Sequence, residues 1–226
     1  MNYIDIINST YFKDTYSKIE ILKKDFPINH GFIHINNTIK NAKNLAKVFQ
    51  LTNEETEILL VATALHDIGY LQGRENHALN GAVLAKDYLL SKTDIPLIDV
   101  ITICRAISNH GGRSIEEYTD KITICLILAD KMDFVASRYS TNMEEYPSYK
   151  KFLNVEHTEM ERLGNKIVLN IYMKNGSDCG EISGCNYFKK LEHILKFVSQ
   201  KQGVETEIKV KEINEYAKTI EGIIEN

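Results

Sequence analysis

Along the first 140 residues, apolar side chains recur at the three-to-four-residue spacing of helices, with short polar or glycine breaks between them. Ile4, Ile7, Tyr11, Tyr16, Ile19 and Leu22 predict a helix over residues 4–24, closed off by Pro27 and Gly31. Ile35, Ile39, Ala42, Leu45, Ala46 and Phe49 form an amphipathic stripe over residues 34–49. Thr52-Asn53-Glu54-Glu55 has the pattern of a capping box, in which the threonine hydroxyl accepts a free amide and Glu55 reaches back. The helix it opens, residues 54–67, is apolar on most sides and is predicted to be central, with Gly69 as its stop. Further helices are predicted over residues 77–90, from Pro96 (a favoured first-turn residue) to just before Gly111-Gly112, and over residues 121–138.

After Tyr139 the texture changes. Residues 140–149 are polar and include Pro147. Residues 166–173, KIVLNIYM, are rich in β-branched and aromatic side chains and predict a strand, with Gly164-Asn165 as the turn before it. Residues 152–162 suit either a hairpin partner or a helix. Residues 175–184 read as a loop, 187–198 as an amphipathic helix, 206–210 as a further strand and 213–224 as a helix. The expected fold class is therefore mainly α. A helical domain spans residues 1–145, and a small α+β extension over residues 146–226 packs on it.

Composition narrows the function classes. A net charge of −4, from 27 basic and 31 acidic residues, offers no basic excess to hold a nucleic-acid backbone. An anionic small molecule would need local positive charge, such as a metal ion. No basic segment followed by an apolar run opens the chain, and no apolar stretch reaches the length of a membrane span. A cytoplasmic protein with reduced cysteines is expected. Cys104 and Cys125 fall inside apolar helical patterns, as core residues do; Cys179 and Cys185 flank a loop without metal-ligand spacing.

The residues that carry chemistry are His34, then His66-Asp67 within Ala64-Leu65-His66-Asp67-Ile68-Gly69, then His77, His110 and Asp130. Imidazole nitrogen and carboxylate oxygen together suit iron, manganese, zinc, cobalt or nickel better than magnesium. Adjacent His66 and Asp67 point about 100° apart around a helix, so both can serve one site only if a helix end faces it. Asp130 lies in an apolar helix, where an unpartnered carboxylate would be costly.

The string LHDIG, with His34 upstream and Asp130 in LILADKMD, resembles the defining elements of the HD superfamily of metal-dependent phosphohydrolases. The likeness covers about residues 26–139. His77, followed by Gly81-Ala82, and His110 resemble the additional histidines of members that hold two metals. The resemblance implies an HD-domain helical bundle holding one or two divalent transition metal ions (Fe, Mn, Zn, Co or Ni). His34, His66, Asp67 and Asp130 would hold the first; Asp67, His77 and His110 would hold the second. Metals about 3.5–4 Å apart can clamp a phosphoryl group and activate a water, so no serine or cysteine nucleophile is required. Asp67 and Lys131 are the catalytic candidates. His30, Arg74, Arg113, Asp133 and Arg138 are candidates for substrate contact.

Departures from the superfamily's subgroups matter as well. Gly111 follows His110 where cyclic-dinucleotide phosphodiesterases carry a further histidine, and their Gly-Tyr-Pro element is absent. The Glu-Asp element of alarmone hydrolases is absent too. What remains resembles the small bacterial two-metal hydrolases. The expected partner is a small phosphorylated substrate of the nucleotide class, with no nucleic-acid polymer and no membrane; a homodimer stays open. Two alternatives stand beside the hydrolase: an HD-type di-iron oxygenase, which shares the ligand set, and a non-enzymatic metal-binding regulatory module, which the intact ligand set disfavours.

Overall fold

A computed structural model describes residues 2–23, 27–112, 120–139 and 146–214. The chain divides into two compact units, Met1–Lys131 and Met132–Asn226. It is mainly helical, with a small three-stranded sheet in the second unit.

The first unit contains helices α1 (Tyr3–Asn8), α2 (Thr10–Lys23), α3 (Phe32–Val48), α4 (Asn53–Leu65), α5 (His77–Lys92) and α6 (Leu97–Asn109), and nearly all of α7 (Lys121–Met132). The single helix expected over residues 4–24 is two helices. The break falls at Ser9, whose extended backbone ends α1 and whose hydroxyl accepts the Phe12 amide at 3.2 Å. The capping box of α4 forms in full: Thr52 Oγ1 accepts the Glu55 amide at 3.1 Å, and Glu55 Oε2 accepts the Thr52 amide at 2.8 Å. From Leu59 to Leu65 every residue of α4 is buried, as its all-round apolarity requires. Tyr16 donates its hydroxyl to the Ala64 carbonyl at 2.8 Å, tying α2 to α4. Asn41 donates to the Ala129 carbonyl at 3.1 Å, tying α3 to α7. Pro96 stands at the cap of α6 rather than in its first turn.

Two expected boundaries move. Helix α4 ends at Leu65, and a 3-10 turn over Ile68–Gln72 follows, so Gly69 lies inside that turn and does not stop the helix. The helix expected over residues 121–138 ends at Met132, and a separate 3-10 turn covers Ala136–Arg138. Both corrections have one cause. Apolar periodicity marks a buried face but does not register where the backbone leaves α geometry.

In the second unit, a 3-10 run over Pro147–Asn154 leads into β1 (Val155–Leu163), which pairs antiparallel with β2 (Lys166–Met173). Residues 152–162 are thus mostly the hairpin strand. A short helix α8 (Gly180–Ser183) interrupts the expected loop, and α9 (Asn186–Gln202) then crosses over to β3 (Glu205–Glu212), parallel to β2. Cys185 caps α9, its sulfur accepting the Phe188 amide at 3.4 Å. Apart from its first residue, Lys166, β2 is buried throughout, as expected for the central strand of three. The helix expected over residues 213–224 falls mostly outside the described residues. Among the described residues, no helix is long and apolar enough to cross a membrane.

Candidate metal centre

Five helix ends or turns of the first unit deliver the site. His34 lies in the first turn of α3, and His77 is the first residue of α5. His110 caps the C-terminus of α6, and Asp130 lies in the last turn of α7. His66 caps the end of α4 with helical torsions, whereas Asp67 has φ −102° and ψ 3°, in the bridge region where many active-site residues sit. The change of backbone course between them lets adjacent side chains enter one cluster. His34, His66, Asp67, His110 and Asp130 are all buried; the His77 side chain retains 24% of its exposure.

Asp67 is the hub. Its Oδ2 lies 3.3 Å from His34 Nε2, 3.5 Å from His66 Nε2 and 2.9 Å from His30 Nδ1. Its Oδ1 faces the other way, 3.5 Å from His110 Nε2 and 3.9 Å from His77 Nε2. Within each half the imidazoles also meet. His34 Nε2 and His66 Nε2 are 3.1 Å apart, and His77 Nε2 and His110 Nε2 are 3.2 Å apart. Asp130 Oδ1 joins the first half at 3.4 Å from His34 Nε2.

The ring orientations come from the backbone. His66 Nδ1 is 2.7 Å from the Thr63 carbonyl, His110 Nδ1 is 2.7 Å from the Ile107 carbonyl, and His77 Nδ1 is 2.9 Å from the Arg74 carbonyl. A carbonyl can only accept, so each Nδ1 carries a proton and each ring turns its Nε2 into the cluster. Burial pushes His66 down to about 3, and burial lowers His77 as well, so both rings are neutral near pH 7. Burial alone would raise Asp67, but the surrounding His66, His30 and His110 hold its carboxyl well below the usual range.

His77 Nε2, His110 Nε2 and Asp67 Oδ1 thus bring three potential metal-donor atoms to one point. Such an arrangement calls for a cation. For metal–ligand bonds of about 2.0–2.2 Å, neighbouring donor atoms lie about 3.0 Å apart in an octahedron and about 3.4 Å in a tetrahedron. Most of the donor separations in the cluster, 3.1–3.5 Å, span that range. Three overlapping groups have ligand atoms mutually within 4.8 Å: His34, His66 and Asp130; His66, Asp67 and His110; His30, His34 and Asp67. The donor set therefore fits divalent transition metals.

A family model for the HD domain matches residues 31–137. Residues 31–137 are an HD domain. Comparison with curated proteins found no match for the chain. HD domains bind divalent metals, and most are metal-dependent phosphohydrolases. The buried histidine and aspartate groups of this HD domain could hold such an ion.

The other residues singled out in the sequence fall in varied places. His30 precedes α3, whose cap is Gly31, and its side chain reaches Asp67. Lys131 places its ammonium on Asp130 Oδ2, leaving Oδ1 toward His34. Arg74 is exposed, and its carbonyl holds His77. Asp133 and Arg138, in the second unit, are buried against each other: Arg138 Nη1 donates to the Asp133 carbonyl at 2.6 Å, and Nε lies 3.7 Å from its carboxylate. Arg113 lies outside the described residues.

Sequence reasoning missed Tyr70, whose ring packs against both the His30 and the His77 imidazoles. An aromatic residue three positions after Asp67 was the only signal available. It also missed how Gly69 and Gly81 bring two backbones together. A Cβ on Gly69 would lie 1.9 Å from the His77 carbonyl oxygen and 2.5 Å from the Gly81 nitrogen, and a Cβ on Gly81 would lie 3.1 Å from the His66 carbonyl oxygen. The first turn of α5 therefore rests directly on the His66–Asp67 turn.

Proposed function

We propose that this HD domain is a metal-dependent phosphohydrolase that cleaves a phosphate ester or anhydride of a nucleotide or another small phosphorylated metabolite. One observation carries the reading: the two oxygens of Asp67 face two separate histidine pairs, the arrangement of a carboxylate shared by two ions. Two divalent ions so held would supply Lewis-acid charge for a phosphoryl group and an activated water as nucleophile.

The residues of the chain divide the remaining work. His34, His66 and Asp130 would complete the buried ion position, and His77 and His110 the more exposed one. The carbonyls of Thr63, Arg74 and Ile107 keep three of the imidazoles aimed inward, as carboxylates and carbonyls commonly do for metal-bound histidines. Lys131 offsets the charge of Asp130 and orients its outer oxygen. His77, with 24% of its side-chain exposure retained, marks the side open to substrate. The acidic chain thereby gains the local positive charge that an anionic substrate requires.

Elemental analysis of purified protein, followed by a metal-supplemented panel of nucleotides and phosphoesters, tests the reading. Two equivalents of transition metal are expected, with phosphate release that persists without oxygen. Protein that takes up no metal with all six ligands intact, or metal-loaded protein silent across the panel, would overturn it.

A further inference from the structure

Tyr70 sits in the turn Ile68–Gln72, three residues after Asp67, with 5% of its surface exposed. One side of its ring meets the His30 imidazole, with centroids 4.1 Å apart and planes inclined by 31°. It also meets the His77 imidazole, at 4.3 Å and 27°. Both centroid distances are shorter than the usual aromatic pair separation of about 4.5–7 Å. Both imidazoles address the same carboxylate. His30 Nδ1 lies 2.9 Å from Asp67 Oδ2, and His77 Nε2 lies 3.9 Å from Asp67 Oδ1 and 3.2 Å from His110 Nε2.

We propose that Tyr70 is a positioning residue whose ring holds His30 and His77 in the planes from which they reach Asp67, and that it thereby sets the affinity of the His77–His110 ion position. The inference rests on the two-ion reading above. His77 needs such a support. It stands at the exposed end of the cluster, and its contacts with the Arg74 carbonyl through Nδ1, at 2.9 Å, and with His110 through Nε2, at 3.2 Å, fix an axis through the ring while leaving the ring plane to turn about it. A flat ring against the imidazole face removes that freedom. On the opposite side of Asp67, the same tyrosine backs His30, which holds Oδ2 and so leaves Oδ1 directed at the second position. The His34–His66–Asp130 position meets Tyr70 only at one remove, through His30 on Asp67 Oδ2, so the larger effect falls on the second position. Ordinary core packing would behave otherwise: loss of the ring would weaken the whole unit without separating the two positions.

The test compares parent, Tyr70→Phe and Tyr70→Leu by titrating metal-free protein with cobalt. Ligand-field absorption reports each position, and elemental analysis reports stoichiometry. The parent is expected to take up two ions. Tyr70→Leu should bind the first ion within about twofold of the parent and the second about 10–100-fold more weakly, the usual effect of removing a group that orients a metal ligand. Tyr70→Phe should match the parent. Tyr70→Met, also ringless, replaces the leucine variant if that protein does not fold. Parental affinity for both ions in the ringless variant, equal weakening of both positions, or a Tyr70→Phe defect as large as the leucine one would each overturn the proposal. A parent that binds fewer than two ions would instead defeat the two-ion reading, so the two failures are distinguishable.

Discussion

Gly69→Ala tests how tightly the second half of the cluster depends on backbone contact. The new Cβ would point into the first turn of α5, 1.9 Å from the His77 oxygen and 2.5 Å from the Gly81 nitrogen. Both are backbone atoms, so no side chain can rotate away. Restoring even a 3.0 Å separation from the His77 oxygen requires an opening of about 1.1 Å, from 3.0 less 1.9. A ligand constellation tolerates displacements of only about 0.5 Å. The yielding element should be the start of α5, because the α4 side is buried on all sides whereas His77 is part-exposed. Overpacking of this kind costs about 1–3 kcal/mol of stability, which a folded domain can survive. The expected result is a folded variant that keeps the ion at His34, His66 and Asp130 and binds the second at least about tenfold more weakly. Gly81→Ala is the graded control: its nearest neighbours lie at 3.1–3.4 Å, and the gain in helix propensity, about 1 kcal/mol, offsets the crowding. Equilibrium dialysis with elemental analysis reads both. Gly69→Ala protein that takes up two ions with parental affinity would refute the reasoning.

Three further outcomes are expected. Asp67→Asn removes the anion common to both halves, so uptake at both positions and phosphate release should fall by at least about 100-fold; retention of two ions in elemental analysis would contradict the shared-carboxylate reading. In metal-free protein, His66 titrates near 3 when folded and near its ordinary 6.5 when unfolded, so between those values the unfolded chain holds a proton that the folded one refuses. Stability should therefore fall on acidification below about pH 6.5, by about 1.4 kcal/mol per pH unit from this residue, and urea melts that stay flat from pH 7 to 4.5 would argue against it. Arg138→Met removes a buried cation from beside the Asp133 carboxylate and should cost about 3–5 kcal/mol, while adding Asp133→Asn should recover much of it; additive losses in the double variant would show that the two residues act apart.

What could be read from the sequence divides along a physical line. Helices with a one-sided stripe, such as α3, or an all-round apolar run with a cap, such as α4, are written in side chains and were legible to within a few residues. The residues of the cluster were legible because a buried histidine or aspartate in an apolar setting needs a partner, and the HD resemblance supplied their order. Features built from backbone were not legible. The bend between His66 and Asp67, the carbonyls that orient three imidazoles, and the Gly69–Gly81 contact involve atoms every residue type possesses. The surroundings of Lys131 and Arg138 were not legible for another reason. A sequence gives each a charge but not the carboxylate that already occupies it.

The two halves of the cluster are chemically alike but mechanically different, and the difference follows from where each ligand sits on its element. His34 and Asp130 lie within helical turns, and Asn41 ties the helices that carry them together. His77 stands at the first residue of a helix whose preceding residue, Asn76, has a left-handed backbone with φ 55°, a conformation uncommon outside glycine. A ligand on such a terminus moves whenever the terminus does, and here the terminus is held by contact with the His66–Asp67 turn and by the ring of Tyr70. Filling that half should therefore tighten the start of α5 more than any other part of the unit. Hydrogen exchange would register it as protection appearing at residues 77–81 on addition of the second ion, and not of the first.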